Sequence, residues 1–157
     1  MTSNTPVRLT VDQRVLITLA RVCAAAEPWE GCALLLGDPG PCAHLRQIWP
    51  CLNVWPVQAE RHRRFALDPR EQLLAQRWSR QRGLTVLGSA HSHPCGEPRP
   101  SPVDLALSTA PTLAVIAGRG RAAGHYHGWD WGFWWLDAPP SADEDPRVVP
   151  LPWTMAD

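Results

Sequence analysis

Residues 91–104 read His-Ser-His-Pro-Cys-Gly-Glu-Pro-Arg-Pro-Ser-Pro-Val-Asp. They follow Leu84-Thr-Val-Leu-Gly-Ser-Ala90, an apolar run after Gly83 that suits a buried strand. Side chains two apart on a strand share a face, so His91 and His93 project together from the strand's end. A loop rich in proline then interrupts regular structure. At Ser101-Pro102 a serine able to cap and a proline suited to the first helical position predict a short helix to about Thr109. The stretch is a strand, a loop and a helix that brings Asp104 back toward the two histidines.

The same alternation extends in both directions. Downstream, Thr112–Ala117, Ala122–His127 and Trp131–Leu136 read as strands. Upstream, Pro69–Arg82 reads as a helix capped by Asp68, with Leu73, Leu74 and Trp78 as its apolar stripe and Gly83 as its stop. Arg64–Leu67 reads as a short strand and residues 50–64 as an exposed connection. Cys32–Gly37 and His44–Trp49 read as strands either side of an Asp38-Pro-Gly-Pro41 turn. Val11, Val15, Leu16, Leu19, Val22 and Cys23 recur at helical spacing, predicting a helix over Val11–Ala26 capped by Thr10 and ended by Pro28. Residues 1–9 read as a ragged start, 10–137 as one domain, and 138–157, with five prolines and an acidic cluster, as an extended or poorly ordered tail. The expected class is α/β: a central mixed sheet flanked by helices.

Composition narrows the function. The chain has 157 residues, 45% hydrophobic and 19% charged, enough for one core without staples. Fifteen basic residues, all arginine, balance fifteen acidic ones. That weighs against a nucleic-acid grip, which needs excess positive charge, and against a polybasic membrane anchor. No apolar run approaches a membrane span, and residues 1–14 lack the apolar stretch of a secretory signal. Five cysteines, Cys23, Cys32, Cys42, Cys51 and Cys95, include no CxxC pair. A disulfide framework and a four-cysteine zinc site are therefore not expected, and a reducing cytoplasm is the simplest location. Near-zero net charge favours self-association, which leaves a homodimer open.

His91, His93 and Asp104 form a metal-ligand pattern. Two neutral imidazoles and a carboxylate suit Zn²⁺, one per chain, and three protein ligands leave a position for water. Zinc lowers the pKa of such a water from ~15.7 to about 7. A hydrolase also needs a base, and Glu30, just before the Cys32–Gly37 strand, is the best candidate. Ser101 is placed to donate a hydroxyl to a developing oxyanion.

Glu30-Gly-Cys-Ala-Leu-Leu-Leu-Gly37, His91-x-His93-Pro94 and Ser101-x-x-Asp104 together resemble the JAMM/MPN+ (JAB) metallopeptidases, and the short prokaryotic branch among them. Asn53, Phe65-Ala-Leu-Asp68 and Gly88 extend the resemblance over roughly residues 10–136. It implies a cytidine-deaminase-like α/β sandwich, with His91, His93 and Asp104 as zinc ligands, Glu30 as general acid/base and Ser101 stabilising the tetrahedral intermediate. It further implies cleavage of a peptide or isopeptide bond at the C-terminus of a ubiquitin-like or β-grasp sulfur-carrier protein ending in Gly-Gly. Ala33 departs from the family's usual glycine. The chain also has no room for the long insertions of eukaryotic deubiquitinases, so ubiquitin-chain specificity is not expected.

Plainer readings stand beside these. Ser101-x-x-Asp104 is also a capping box, so Ser101 is open to either job. Ser92, between the two histidines, is placed to hydrogen-bond the loop. Pro94-Cys95 starts like a deaminase P-C-x-x-C motif, but residue 98 is Pro and neither histidine is followed by x-Glu. His125 and His127 read as an exposed sheet edge rather than a second metal site, Arg61-His-Arg-Arg64 as a solvated loop or an acidic-carrier dock, and Trp129–Trp135 as core and edge packing, with a hydrophobic dimer or substrate contact as its alternative. Rival functions are a non-catalytic MPN-like binding scaffold, a DNA-repair-associated JAB domain and a zinc hydrolase of small amides.

Overall fold

The computed structural model describes residues 5–119 and 125–157. Its sequence of elements is β1 (Arg8–Asp12), α1 (Gln13–Ala26), β2 (Cys32–Asp38), β3 (Cys42–Cys51), a 3₁₀ turn (Gln58–Glu60), α2 (Pro69–Gln81) and β4 (Thr85–His93). These are followed by α3 (Pro102–Leu107), β5 (Thr112–Gly118), β6 (His125–Tyr126), β7 (Trp129–Asp137), β8 (Arg147–Pro150) and β9 (Trp153–Ala156). The strands form one mixed sheet in the order β6-β7-β5-β4-β2-β3-β1-β9, with β8 also on β7. β1 runs parallel to β3 and β9, and β4 parallel to β5; the remaining pairs are antiparallel. This is the expected α/β class with a central mixed sheet flanked by helices.

Strand alternation sorts residues between the two faces. Ala33, Leu35, Ala90 and Val115 join Val15, Leu16, Leu19 and Cys23 of α1 in one core. Leu34, Ser89, His91 and Ala114 turn to the other face, where α2 and α3 lie across the sheet and a cavity remains between them. β2, buried along Cys32–Leu36, is sandwiched between β3 and β4 at the centre. No helix among the described residues is long and apolar enough to cross a membrane.

Several local expectations are corrected. The first helix starts at Gln13, not Val11, because Arg8-Leu-Thr-Val-Asp12 alternates as a strand with Leu9 and Val11 buried. Asp12 caps it without a side-chain bond, since its carboxylate meets His44 Nε2 at 2.6 Å. The ragged start is therefore ordered from Arg8 onward as an inner strand between β3 and β9. In α2 the stripe is not Leu73 and Leu74, which are 67% and 49% exposed; the buried pair is Ala75 and Ser79. A small face lets the helix lie closer to β4 than two leucines would.

Residues 64–67 form no strand; their backbone bonds are taken by Val54 and the Asn53 side chain. The tail is not loose throughout. β8 pairs with β7, β9 pairs with β1, and Leu151 between them is buried. Pro150 and Pro152 sit at strand ends, where the missing N–H removes no ladder bond from the centre of the sheet. Of the strand expected over Ala122–His127, residues 122–124 lie outside the described residues, and His125–Tyr126 form β6.

Candidate metal centre

β2 and β4 run antiparallel with Cys32 opposite His91, so the residue two before Cys32 lies beside the end of β4. Glu30, His91 and His93 then share the α2/α3 face. The loop after His93 folds back and α3 carries Asp104 to the same point. His91 Nε2 lies 3.0 Å from both His93 Nε2 and Asp104 Oδ2, and His93 Nε2 lies 3.1 Å from the same carboxylate oxygen. Glu30 Oε2 stands back at 3.9 Å from His93 Nε2. One ligand atom from each of the four residues falls within 4.8 Å of all the others. Among the described residues this is the one group of its kind; His125 is exposed in β6 and reaches only Asp130, at 3.3 Å.

The donor set fits a cation. His93 Nδ1 lies 2.7 Å from the Glu97 carbonyl, an acceptor, so Nδ1 carries the proton and Nε2 presents its lone pair inward. An imidazole lone pair, a second imidazole nitrogen and a carboxylate oxygen meeting at about 3 Å repel one another unless a proton or a metal lies between them. Ligands ~2.0 Å from a tetrahedral zinc sit roughly 3.3 Å apart, close to what is observed. Glu30 is 2% exposed, and its Oε1 is buried without a hydrogen-bond partner among the described residues. An orphaned buried carboxylate oxygen is costly unless a bound species satisfies it.

Electrostatics separates the two acids. Burial pushes the Glu30 carboxyl up to about 8, helped by the charge of Asp104 and opposed by His93. Without a metal, when Nε2 of the rings can carry a proton, burial of Asp104 is outweighed by hydrogen bonds from His91, His93 and the Ser101 N–H, which hold it well below the usual carboxylate range. Burial lowers His91, while in His93 the same effect is overcome by the bonds to Asp104 and the Glu97 carbonyl, which raise it. Asp104 is thus a permanent anion, and Glu30 is a group able to gain and lose a proton near neutrality.

The surroundings fix this geometry. Ser92 points to the opposite face, where its Oγ accepts from the Gly31 N–H (2.8 Å) and its own N–H donates to the Gly31 carbonyl (3.0 Å). Gly31 lets the chain pass close to α1, since a Cβ there would meet the backbone of Cys23 at a tight 3.0 Å. The Glu30 N–H donates to the Arg61 carbonyl, and Asn53 Nδ2 donates to the carbonyls of Glu30, Arg61 and Arg64. Phe65 stacks on the His91 ring at 4.4 Å between centroids. Trp134 Nε1 donates to the Pro98 carbonyl, and Gly132 leaves room for that loop, since a Cβ there would lie 1.9 Å from the same oxygen. Part of the tryptophan-rich run thereby braces the loop between His93 and Asp104.

Ser101 caps α3. Its Oγ accepts from the Asp104 N–H at 3.1 Å, and Asp104 Oδ2 accepts from the Ser101 N–H at 2.9 Å, a complete capping box. The cap uses the serine oxygen as an acceptor and leaves its own proton for another partner. All five predicted site residues are therefore brought together. Phe65 and Arg64, which line the cavity next to them, carry no metal or acid–base signature in the sequence and were legible only as family pattern and as part of a basic run.

The family model for prokaryotic homologs of the JAB domain matches residues 12–137. The chain belongs to this prokaryotic JAB-domain family. Among solved structures it is similar to a protein from Desulfitobacterium hafniense (TM-score 0.76, 24% identity, covering 95% of this chain and 93% of that one). It is also similar to a JAB1/MPN domain protein from Archaeoglobus fulgidus (TM-score 0.54, 19% identity, 94% and 98% covered). A protein from Salinibacter ruber aligns with a TM-score of 0.57 at 26% identity over 91% of this chain and 90% of its own. No curated protein is a significant sequence match.

Proposed function

We propose that this chain is a zinc-dependent peptidase or isopeptidase that cuts at the C-terminus of a ubiquitin-like or β-grasp sulfur-carrier protein ending in Gly-Gly, in the cytoplasm. The observation that carries the reading is the convergence of His91, His93 and Asp104 at about 3 Å with a buried, partly unsatisfied Glu30 beside them. A purely structural zinc site closes its coordination with four ligands; here the fourth group stands back with a free oxygen.

His91, His93 and Asp104 would hold the metal, and bound zinc would supply Lewis-acid polarisation and an acidic water. Glu30 Oε1 would take a proton from that water and hand it to the leaving amine. The Ser101 hydroxyl, still able to donate while it caps α3, would stabilise the carbonyl oxygen as it gains charge. Asp104, held ionised, keeps the ligand set anionic throughout. A binding scaffold has no use for a buried carboxylate with an unmet oxygen, and a balanced charge gives a DNA-binding reading no support.

The test is to incubate the zinc form with the host's Gly-Gly-containing β-grasp proteins and record their masses before and after. A carrier shortened to its Gly-Gly end, with no change in a Glu30→Gln control, is the expected result. Unchanged masses for every carrier would remove this substrate class, and DNA binding at physiological salt would favour the repair-associated alternative.

A further inference from the structure

The cavity that His91 and Asp104 line has one basic side chain in its wall. It encloses about 540 Å³ and is lined mainly by apolar and neutral polar groups; apart from His91 and Asp104, its one charged lining residue among those described is Arg64. Arg64 is held in place by its neighbours. Its carbonyl accepts from Asn53, its guanidinium lies 5.5 Å from the Trp55 ring centre, and the next residue, Phe65, stacks on His91.

Its hydrogen bonding is nonetheless incomplete. The Nε–H is buried and has no acceptor among the described residues. Its ion pair with Glu60 Oε2 is long, at 3.8 Å, and that oxygen also accepts from Trp55 Nε1 at 2.8 Å. The buried Nε is not what a ligand would reach; as the one basic side chain lining a cavity of otherwise apolar and neutral groups, Arg64 has its Nη groups to offer, and a guanidinium is the complement of a carboxylate, which it binds through short, charge-assisted and often paired bonds.

We propose that Arg64 is a specificity-determining residue that binds a carboxylate of the substrate, so that the site selects peptide chains bearing a carboxylate in the same cavity as the bond to be cut. This rests on the peptidase reading for the identity of the bond, and adds the chemical class of the chain that carries it. Two groups supply that chemistry: the free C-terminal carboxylate of a short extension after Gly-Gly, and an aspartate or glutamate side chain within it.

Three N-acetylated peptides distinguish them. One ends Gly-Gly-Ala with a free carboxylate, one is its C-terminal amide, and one is an amide with Glu in place of Ala. Each is given to zinc-loaded wild type, Arg64→Gln and Arg64→Lys, and kcat/KM is measured, or Kd by calorimetry where nothing is cut. Wild type is expected to prefer one or both acidic peptides over the neutral amide by about 10- to 100-fold, the scale of a charge-assisted bond. The preferred peptide identifies the source of the carboxylate. Arg64→Gln should reduce the ratio to within about threefold, and Arg64→Lys should keep part of it, because a point charge replaces the fork.

Zinc content and circular dichroism establish that the variants are folded and loaded. Equal treatment of the three peptides by wild type overturns the proposal, whatever the variants do. So does a preference that survives in folded Arg64→Gln. An Arg64-dependent preference in binding without any cleavage would keep this inference and sink the peptidase reading; cleavage of all three at equal rates would do the reverse.

Discussion

Glu30 is the residue at which stability and the proposed chemistry meet. If it carries the proton, Glu30→Gln keeps its zinc and loses about 10²–10⁴ in rate; a variant with full activity would remove it from that role. The same residue makes the metal-free protein pH-sensitive. With its carboxyl raised to about 8 by burial, the folded chain holds a proton that the unfolded chain releases near 4.5. Stability therefore falls as pH rises through that window. Metal-free Glu30→Gln, which cannot ionise, is expected to unfold at higher denaturant than metal-free wild type at pH 8, by up to a few kcal/mol, and the gap should close toward pH 5. A gap that widens as pH falls would contradict the burial argument.

Ser92 makes a quieter contribution. Ser92→Ala leaves the Gly31 N–H without an acceptor in the interior and should cost about 1–3 kcal/mol in urea unfolding; a neutral result would mean that β2 and β4 do not depend on this bond. At this scale the sequence was informative wherever chemistry demands particular residue types. Two histidines at a strand end, an aspartate on the returning helix and a glutamate before a buried strand are rare in combination. Asn53, Phe65 and Arg64 act through backbone carbonyls, ring stacking and an unmet N–H, which depend on where the 53–66 connection folds and leave no comparable residue code.

Short elements here do more than one job. α3 has six residues and is held at its start by the Ser101–Asp104 capping box, the same aspartate that faces the histidines. Ser101→Ala should therefore lower both stability, by about 0.5–2 kcal/mol, and rate, by less than ~10³-fold. A loss in stability alone, with the rate unchanged, would reduce Ser101 to a cap.

The helix α2 shows why periodicity misleads. Leu73, Leu74 and Trp78 satisfy the spacing of an apolar stripe, yet Leu73 and Leu74 are exposed and the buried residues are Ala75 and Ser79; of the stripe only Trp78 packs, half-buried and edge-on against Trp49 at 5.9 Å. Hydrophobic spacing identifies a helix; which face docks depends on how closely the partner sheet approaches. Leu73→Gln should accordingly shift unfolding by no more than about 0.5 kcal/mol, whereas Ala75→Leu should cost about 1–3 kcal/mol by overpacking. The reverse order would restore the leucine stripe. β1 was misread for a related reason: Val11 fits both the helical repeat that follows and the strand alternation that precedes it, and the strand prevails because β3 and β9 are there to pair with it.

Across the whole molecule, the sheet joins the two ends of the chain. β1 and β9 pair in parallel, and β8 extends the sheet beyond β7. Both partners of β1 are remote from it in sequence, and proline-rich composition hides β8 and β9, so these pairings were not visible from the sequence even though β3 itself was. β2 and β5 were visible because burial on both faces forces continuous apolar runs, and β4 through the apolar stretch that leads into His91.

Metal and fold are coupled through the same sheet, since Glu30 and the two histidines lie where β2 and β4 meet. On the proposed reading zinc would bind the assembled site and not the unfolded chain, so zinc at a hundred times its dissociation constant should add about 2.7 kcal/mol to unfolding, and a chelator should remove it. The most direct test of the account is the zinc content of purified protein by elemental analysis, in wild type, Glu30→Gln and His91→Ala. The expected result is one zinc per chain in the first two and none in the third; zinc retained in folded His91→Ala, or absent from wild type supplied with the metal, would contradict the centre on which the whole reading stands.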